Sequence, residues 1–328
     1  MTDWRYRFAE HRGTLVAFAI FVLMFVIYVA NHPAGFTANV VTTAANKGVL
    51  LALVAMAQTL VVLTAGIDLS VGSIFILTNC LASSLVAGGP AQAGLGIAAV
   101  LAAGLVCGMV NGLIVIYGRL QPIVATIATG AVYFGIALWL RPVPGGADDF
   151  NSDIADALTG QLPGGVPASL VALAAVVLVV WVPFRRSVIG RAVYATGSSE
   201  LAAYMSGVPI RPAKFAAYAL SGLLAGIGGL YLTFFTYSGE ASAANGATYT
   251  LYSIAAVVLG GVSLFGGVGS AVGAIFGAFA FRTIGDLLFV FDLDPLWQPL
   301  FQGVVLLLAV SLGAARLFQV RNRLDLFG

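Results

Sequence analysis

Apolar runs dominate this chain and constrain its fold more than any other feature. Hydrophobic residues make up 60% of the 328 residues and charged residues only 9%, whereas soluble domains carry about 25% charged residues. Such a composition cannot cover a surface that faces water. Because one helical membrane span needs about 20 apolar residues, the sequence predicts a single all-α polytopic membrane domain over residues 1–328.

Ten apolar segments follow one another along the sequence, which predicts about ten transmembrane helices. They lie at residues 14–30, 48–65, 70–87, 94–117, 122–140, 167–184, 214–237, 248–265, 268–291 and 296–314. The third and ninth segments begin inside glycine-rich motifs, so we expect some helices to be broken or re-entrant there. The first segment has a basic start but no small-x-small cleavage site after it, and we interpret it as a retained helix.

Positive charge is distributed unevenly between the two sides of this arrangement. With both termini in the cytoplasm, the inner segments hold twelve cationic residues and the outer segments only Lys47 and Arg141. The twelve are Arg5, Arg7, Arg12, Arg119, Arg185, Arg186, Arg191, Arg211, Lys214, Arg316, Arg321 and Arg323. Since Lys and Arg concentrate in cytoplasmic loops, both termini are predicted to be cytoplasmic. The net charge of +2 gives no indication of nucleic acid as a partner.

A glycine- and serine-flanked break interrupts the apolar sequence twice. The first copy, residues 66–73, reads GIDLSVGS, and the second, residues 260–270, reads GGVSLFGGVGS. Such a repeat is typical of transporters built from two related halves, here predicted at residues 14–140 and 214–315. The residues predicted to form the breaks or a gate are Gly66, Asp68, Ser70, Gly72, Ser263, Gly266, Gly267 and Gly269.

Three acidic or basic residues within the apolar segments need an explanation, because intramembrane charges are costly. Asp68 could cap the third helix through the Ser70 and Val71 N–H groups, or it could bind substrate; we favour the cap. Arg282 and Asp286 are four residues apart and could pair within one helix, or form a proton or cation relay. We favour the pair.

Two long loops could serve partners. Residues 185–213 are predicted to be cytoplasmic, with Ser198 or Ser199 capping a short helix that Gly207 and Pro209 end. That helix could dock into a partner's groove or lie in the lipid interface, and the sequence leaves both open. Residues 141–166 form an outer loop, interpreted by default as solvated and alternatively as a docking site.

Catalytic motifs are absent from the sequence. No P-loop is present, since neither lysine follows a GxxxxG run, and no HExxH or cluster of metal ligands occurs. Residues 261–265 narrowly miss a nucleophile elbow, and no histidine is placed to serve it. We therefore expect no enzyme activity, no metal and no cofactor in this chain.

Four stretches carry a resemblance to a known family. The first is residues 66–73, and the second is Asn111-Gly112 followed by PIVATI at 122–127. The third runs from Gly190-Arg191 through AVYATG at 192–197 and Ala202-Ala203 to SGV at 206–208. The fourth is residues 260–270. Over about residues 14–315 the chain resembles the permease subunits of bacterial ABC importers for monosaccharides of the ribose, xylose, arabinose and galactose type. Ser198-Ser199, Val124 and Ala128 depart from the family's usual residues.

The resemblance implies a passive permease in the bacterial inner membrane, whose energy comes from ATP hydrolysis on a separate ATP-binding subunit. It also implies a second permease copy or paralogue and an extracytoplasmic solute-binding protein. The implied ATPase-coupling residues are Gly197, Glu200, Ala202, Ala203, Ser206 and Gly207. Polar candidates for the sugar pathway are Thr59, Asn79, Asn111, Thr126, Thr129 and Tyr133. An ion-coupled secondary transporter for a small polar solute is the alternative.

Overall fold

The computed structural model describes residues 12–308 and residue 311, and this part of the chain is a bundle of α-helices. The helices are α1 (Arg12–Asn31), α2 (Ala38–Val62), α3 (Val71–Leu85), α4 (Pro90–Ile116), α5 (Pro122–Leu140), α6 (Ser152–Thr159), α7 (Ala168–Val176), α8 (Val182–Arg186), α9 (Val188–Ser198), α10 (Glu200–Met205), α11 (Ile210–Thr236), α12 (Ala243–Leu259), α13 (Ala271–Val290) and α14 (Pro295–Leu308). A π-helical turn, Val177–Trp181, joins α7 to α8, and a 3-10 turn, Pro295–Trp297, opens α14.

Seven helical stretches in the described residues are long and apolar enough to cross a membrane, which confirms the all-α polytopic fold class. They are α1, α2, α4, α5, the continuous stretch Ala168–Arg186, α11 and α13. Three shorter apolar helices, α3, α12 and α14, account for the remaining predicted segments. The predicted end of the tenth segment lies outside the described residues.

Helix α2 begins well before the predicted start at residue 48. Thr37 caps it by accepting a hydrogen bond from the Val40 N–H at 3.4 Å. The first turns of α2 contain polar residues, which hydropathy excludes but which an amphipathic helix start tolerates. Lys47 therefore lies within a helix, and its predicted place in the segment before that helix is corrected.

Helix α3 begins inside the bundle, where its first turns meet the middle of α12. The Gly72 N–H donates to the Thr250 hydroxyl at 3.0 Å, and the Phe75 and Tyr249 rings lie 4.6 Å apart. Upstream of α12, the Glu240 N–H donates to Asn79 Oδ1 at 2.9 Å, so the connecting segment descends alongside α3. The two helices expected to begin inside the glycine motifs are α3 and α13, which start at Val71 and Ala271. Thr250 of α12 satisfies an end group of α3 that its own turn leaves free.

Glycines recur four residues apart in α4 and α11, a spacing that predicts close helix packing, and they bring the two helices into backbone contact. A Cβ on Gly104 would lie 2.7 Å from Gly222 O, and a Cβ on Gly108 would overlap Tyr218 O. Small residues at this spacing let helix backbones approach closely. Because α4 belongs to the predicted first half of the chain and α11 to the second, this contact packs the two predicted halves against each other.

Part of the loop at 141–166 packs onto the bundle, although Ala155 is its only buried residue and the others remain partly or fully exposed. It contains α6 and a short hairpin of β1 (Gln161–Leu162) and β2 (Val166–Pro167). Apolar side chains that include Phe150 and Ile154 cover Val86, Ala93 and Phe234. The sequence did not indicate this packing because the loop is rich in Pro, Gly and Asp, and its few apolar residues fall on one face of a short helix.

The end of α11 is anchored to the same loop. The Tyr237 hydroxyl donates a hydrogen bond to the Asp156 carboxylate. This hydrogen bond raises the pKa of the Tyr237 phenol, because ionisation would place two anions side by side. Arg141 adds a second anchor at this end, donating to the Ser83 hydroxyl and carbonyl at 3.0 Å each.

Candidate coupling site at the two glycine breaks

A buried carboxylate stabilises the non-helical conformation of the first break. Asp68 is fully buried, and its Oδ1 accepts hydrogen bonds from the Ser70 N–H at 2.9 Å and the Ser70 hydroxyl at 2.6 Å. Of the two predicted contacts, the one with the Ser70 N–H is present and the one with the Val71 N–H is not. Ser70 itself is the N-cap of α3, so Asp68 holds the turn that precedes the helix. Asp68 Oδ2 has no hydrogen-bond partner among residues 12–308.

A chain of hydrogen bonds runs from this carboxylate into α4 and α5. Asn111 Nδ2 donates to the Ser70 hydroxyl at 2.7 Å, and the Tyr133 hydroxyl lies 3.1 Å from Asn111 Oδ1. In parallel, the Leu69 N–H donates to the Thr126 hydroxyl at 2.9 Å. These side chains satisfy polar groups that the broken helix leaves without partners, and a buried network of this kind fixes one geometry.

The six predicted pathway residues do not converge on one cavity. Asn111, Thr126 and Tyr133 support the first break. Thr59 and Thr129 bond to carbonyls of their own helices, at 2.7 Å and 3.4 Å. Asn79 ties α3 to α11 through the Thr233 hydroxyl at 2.8 Å. Their contribution to a solute pathway remains a prediction.

The cap interpretation of Asp68 has a direct test in two substitutions. Asp68→Ala leaves the Ser70 N–H and hydroxyl without their acceptor, and each buried unsatisfied group costs about 1–3 kcal/mol. We therefore expect a marked fall in melting temperature in detergent. Asp68→Asn keeps an oxygen at the same place, so its melting temperature should stay near wild type. If Asp68→Asn is as destabilised as Asp68→Ala, the negative charge is required and the cap interpretation fails.

The second break folds back on itself before α13 begins. The Ser263 N–H donates to Val268 O at 2.9 Å, and the Gly266 N–H donates to Ser263 O at 3.1 Å. Gly266 and Gly267 have φ of 85° and 70°, which other residues rarely adopt. Gly269 follows with φ of 125°, and the Ser270 hydroxyl then caps α13.

The two breaks are joined through the non-helical segment between α2 and α3, residues 63–70, which contains most of the first break. The Gly267 N–H donates to Leu63 O at 3.0 Å, which joins the second break to the end of α2. A Cβ on Gly266 would lie 2.7 Å from Ala65 N and 2.9 Å from Gly197 Cα. The predicted pairing of the two motifs in sequence thus corresponds to direct contact in space, and a third segment contacts both.

That third segment is the end of α9, within the predicted coupling loop. A Cβ on Gly197 would overlap Leu63 O and lie 2.5 Å from Gly267 N. One turn earlier, the Tyr194 hydroxyl donates to Gly269 O at 2.8 Å. We call this meeting point of Leu63, Gly197 and Gly267 the coupling junction. No local pattern could have revealed it, because its members are distant in the sequence.

The short helix predicted after the junction is present as α10. The Ser199 hydroxyl caps it by accepting from the Ala202 N–H at 3.3 Å, and the chain leaves it through Ser206 and through Gly207 at φ of 72°. Ala203 is buried, whereas Ala202 is exposed. Leu201, Tyr204 and Met205 are 70%, 73% and 80% exposed, which leaves α10 an open apolar face.

Lys214 of α11 is a residue at this site that the sequence reasoning missed. Its Nζ lies 2.7 Å from Glu200 Oε2, across the turn between α10 and α11. The pair fixes the angle at which α10 leaves the bundle. Fourteen-residue spacing carries no helical pattern, so only the fold identifies the partner.

The predicted pair of Arg282 and Asp286 within α13 is wrong. Asp286 Oδ1 instead lies 3.1 Å from Lys47 Nζ of α2. The cause is the early start of α2, which places Lys47 against α13. The pair links α2 to α13, and no ion pair of Arg282 occurs among the described residues.

A bundle of apolar spans with two interrupted helices defines a polytopic membrane protein. The family described as branched-chain amino acid transport system / permease component matches residues 40–310, and the chain belongs to it. Members are permease components, which are transport subunits and not enzymes. Membership supports the ABC permease interpretation and gives no support to an ion-coupled secondary transporter.

Curated relatives cover most of this chain. A probable ABC transporter permease of Sinorhizobium fredii is 37% identical over 80% of this chain and 78% of its own length. The ribose import permease of Escherichia coli is 35% identical, covering 89% and 90%. The autoinducer 2 import system permease of Klebsiella pneumoniae is 34% identical, covering 89% and 84%. No solved structure matches the chain.

Proposed function

We propose that this chain translocates a monosaccharide or a similar small polyhydroxy solute across the bacterial cytoplasmic membrane, with energy supplied by a separate ATP-binding subunit. The relatives named for ribose and autoinducer 2 support this solute class over the amino acids in the family description. The coupling junction carries the proposal. It connects both helix breaks with the end of α9, next to the exposed helix α10 that a cytoplasmic partner can reach. A transporter that works alone needs no such connection.

The ATP-binding subunit docks on α10. The open apolar face of Leu201, Tyr204 and Met205 suits insertion into a partner's groove, since helices present anchors at this spacing. Movement of α10 is passed through Ser199 and Gly197 to the end of α2 and to the second break. Because the two breaks are joined at the coupling junction, they move together, and the starts of α3 and α13 follow.

The remaining partners and the orientation belong to the same proposal. Both termini are cytoplasmic, so the packed 141–166 loop faces outward and receives the solute-binding protein. Its anchoring by Arg141 and Tyr237 connects that docking surface to α3 and α11. A second permease copy or paralogue completes the pathway, which two halves of an importer form between them.

Substitution on the exposed face of α10 separates docking from membrane contact. Met205→Asp places a charge in the proposed interface, and loss of one anchor costs about 2 kcal/mol or more. We expect the ATP-binding subunit encoded beside this gene to co-purify far less with the variant, and solute uptake into cells to fall. Melting temperature should not change, because Met205 is 80% exposed.

The matched control is Val188→Asp, an exposed apolar position at the start of α9 that is 64% exposed. It should retain the ATP-binding subunit. Unchanged co-purification of Met205→Asp would assign α10 to the lipid interface. Uptake that survives ATP depletion but stops when the proton gradient is dissipated would overturn the ABC assignment as a whole.

A further inference from the structure

A polar cavity lies between α1, α2, α13 and α14, away from the coupling junction. Its volume is about 430 Å³, which is within the usual size of small-molecule sites. Its polar lining includes His32, Asn39, Lys47, Arg282, Asp286 and Gln298. These residues lie near the end of α13, whereas the junction precedes the start of that helix. None of them was predicted as a pathway residue.

Two of the charged groups, Lys47 and Asp286, form an ion pair, whereas the third, Arg282, does not. The Lys47–Asp286 pair is largely shielded, with the two side chains 32% and 10% exposed. Arg282 is one turn before Asp286 and is half-buried, yet among residues 12–308 it has no ion pair or hydrogen bond. A guanidinium carries five N–H donors in a fixed fork. The guanidinium interacts electrostatically with Tyr249 and Tyr252 of α12, and its N–H donors are available to a ligand in the cavity.

The chemistry of the lining favours a neutral polyhydroxy ligand. Sugar hydroxyls both donate and accept, and the cavity offers donors at Arg282 and Lys47 and acceptors at Asp286 and the amide oxygens of Asn39 and Gln298. A hydrocarbon chain would leave the Arg282 donors and the two amides without a partner, and burying unpaired polar groups is costly.

We propose that this cavity is a contact site for the sugar on the permease, in which Arg282 donates to neighbouring hydroxyls and Asp286 accepts from another. This inference rests on the proposed function and adds the residues that select the solute. Sites built to hydrogen-bond a hydroxyl discriminate strongly against analogues that lack it. The cavity therefore discriminates between solutes within the permease, in addition to the discrimination made by the solute-binding protein.

The test is uptake by the full importer reconstituted in vesicles, with D-ribose as the probe and 2-deoxy-D-ribose as competitor. Arg282→Gln should raise the half-saturating concentration for ribose about 10-fold, since a hydrogen bond to a charged group is lost. It should also weaken the preference for ribose over the deoxy sugar, while Arg282→Lys restores part of both. A fold defect alone would lower the maximal rate and leave this preference unchanged.

Thr283→Val is the matched control, because Thr283 neighbours Arg282 but bonds to Phe279 O within its own helix at 2.8 Å. It should transport like wild type. Unchanged ribose affinity and preference in Arg282→Gln would overturn the assignment of the cavity. A second result would also overturn it: phosphatidylglycerol or inorganic phosphate raises the melting temperature of the wild type but not of Arg282→Gln, and Arg282→Gln transports sugar like the wild type. If the wild type itself moves no sugar with ATP present, the proposed function fails, and that outcome is distinct from either of these.

Discussion

Gly197→Ala is expected to reduce ATP-driven uptake by about tenfold or more. The added Cβ would overlap Leu63 O and lie 2.5 Å from Gly267 N. Both neighbours are backbone atoms, which cannot rotate away as the end of a side chain can. Overpacking of this kind costs about 1–3 kcal/mol, and every 1.4 kcal/mol corresponds to about a tenfold change in an equilibrium. The coupling junction therefore separates, and α9 loses its hold on both breaks.

The measurement is solute uptake together with ATP hydrolysis stimulated by the loaded binding protein. Uptake should fall while the ATP-binding subunit still co-purifies, because the exposed face of α10 is unchanged. Gly135→Ala in α5 is the control, since a Cβ there has no neighbour within 4 Å. Normal uptake by Gly197→Ala would mean that the junction does not transmit movement.

Gly108→Ala is expected to lower the melting temperature of the protein strongly. A Cβ at this position would overlap Tyr218 O and lie 2.9 Å from Gly222 N. Because α4 and α11 contact each other through backbone here, the helices must move apart along their length. The cost is about 1–3 kcal/mol at one site, and loss of neighbouring contacts between α4 and α11 adds to it.

Gly94→Ala on the same helix is the matched control, because a Cβ there has no neighbour within 4 Å. It should be neutral or slightly stabilising, since Ala favours a helix by about 1 kcal/mol over Gly. The double variant Gly108→Ala with Gly222→Ala should be less destabilised than the sum, because both press on one contact. Strict additivity in thermal unfolding would show that the two glycines do not share an interface.

Local patterns predicted the features that depend on neighbouring residues. The spacing of glycines in α4 and α11 predicted close helix packing, and Ser199, Gly207 and the residues between them predicted α10. Both patterns succeed because a helix period and a cap are properties of a few consecutive residues. Helix starts were predicted less accurately: α2 and α12 both begin earlier than hydropathy indicated, since their first turns carry polar residues.

Polar partners were assigned poorly where they come from distant segments. Arg282 and Asp286 have the spacing of an ion pair within a helix, yet Lys47 takes the carboxylate because the fold brings α2 against α13. The pathway candidates Asn111, Thr126 and Tyr133 were identified as polar residues in spans, but their hydrogen bonds serve the first break. Spacing indicates which groups can meet within one helix and carries no information about a competing helix.

The sequence alone determined that this chain is a helical membrane permease with two related glycine breaks, because apolar content and local motifs are written in consecutive residues. Only the tertiary structure decided that the breaks are joined through the hydrogen bond between Leu63 and Gly267, and that Gly197 packs against both of these residues. It also decided that Arg282 forms no ion pair or hydrogen bond among residues 12–308. These contacts join segments up to about two hundred residues apart. Their geometry depends on how helices pack in three dimensions, which no local pattern encodes.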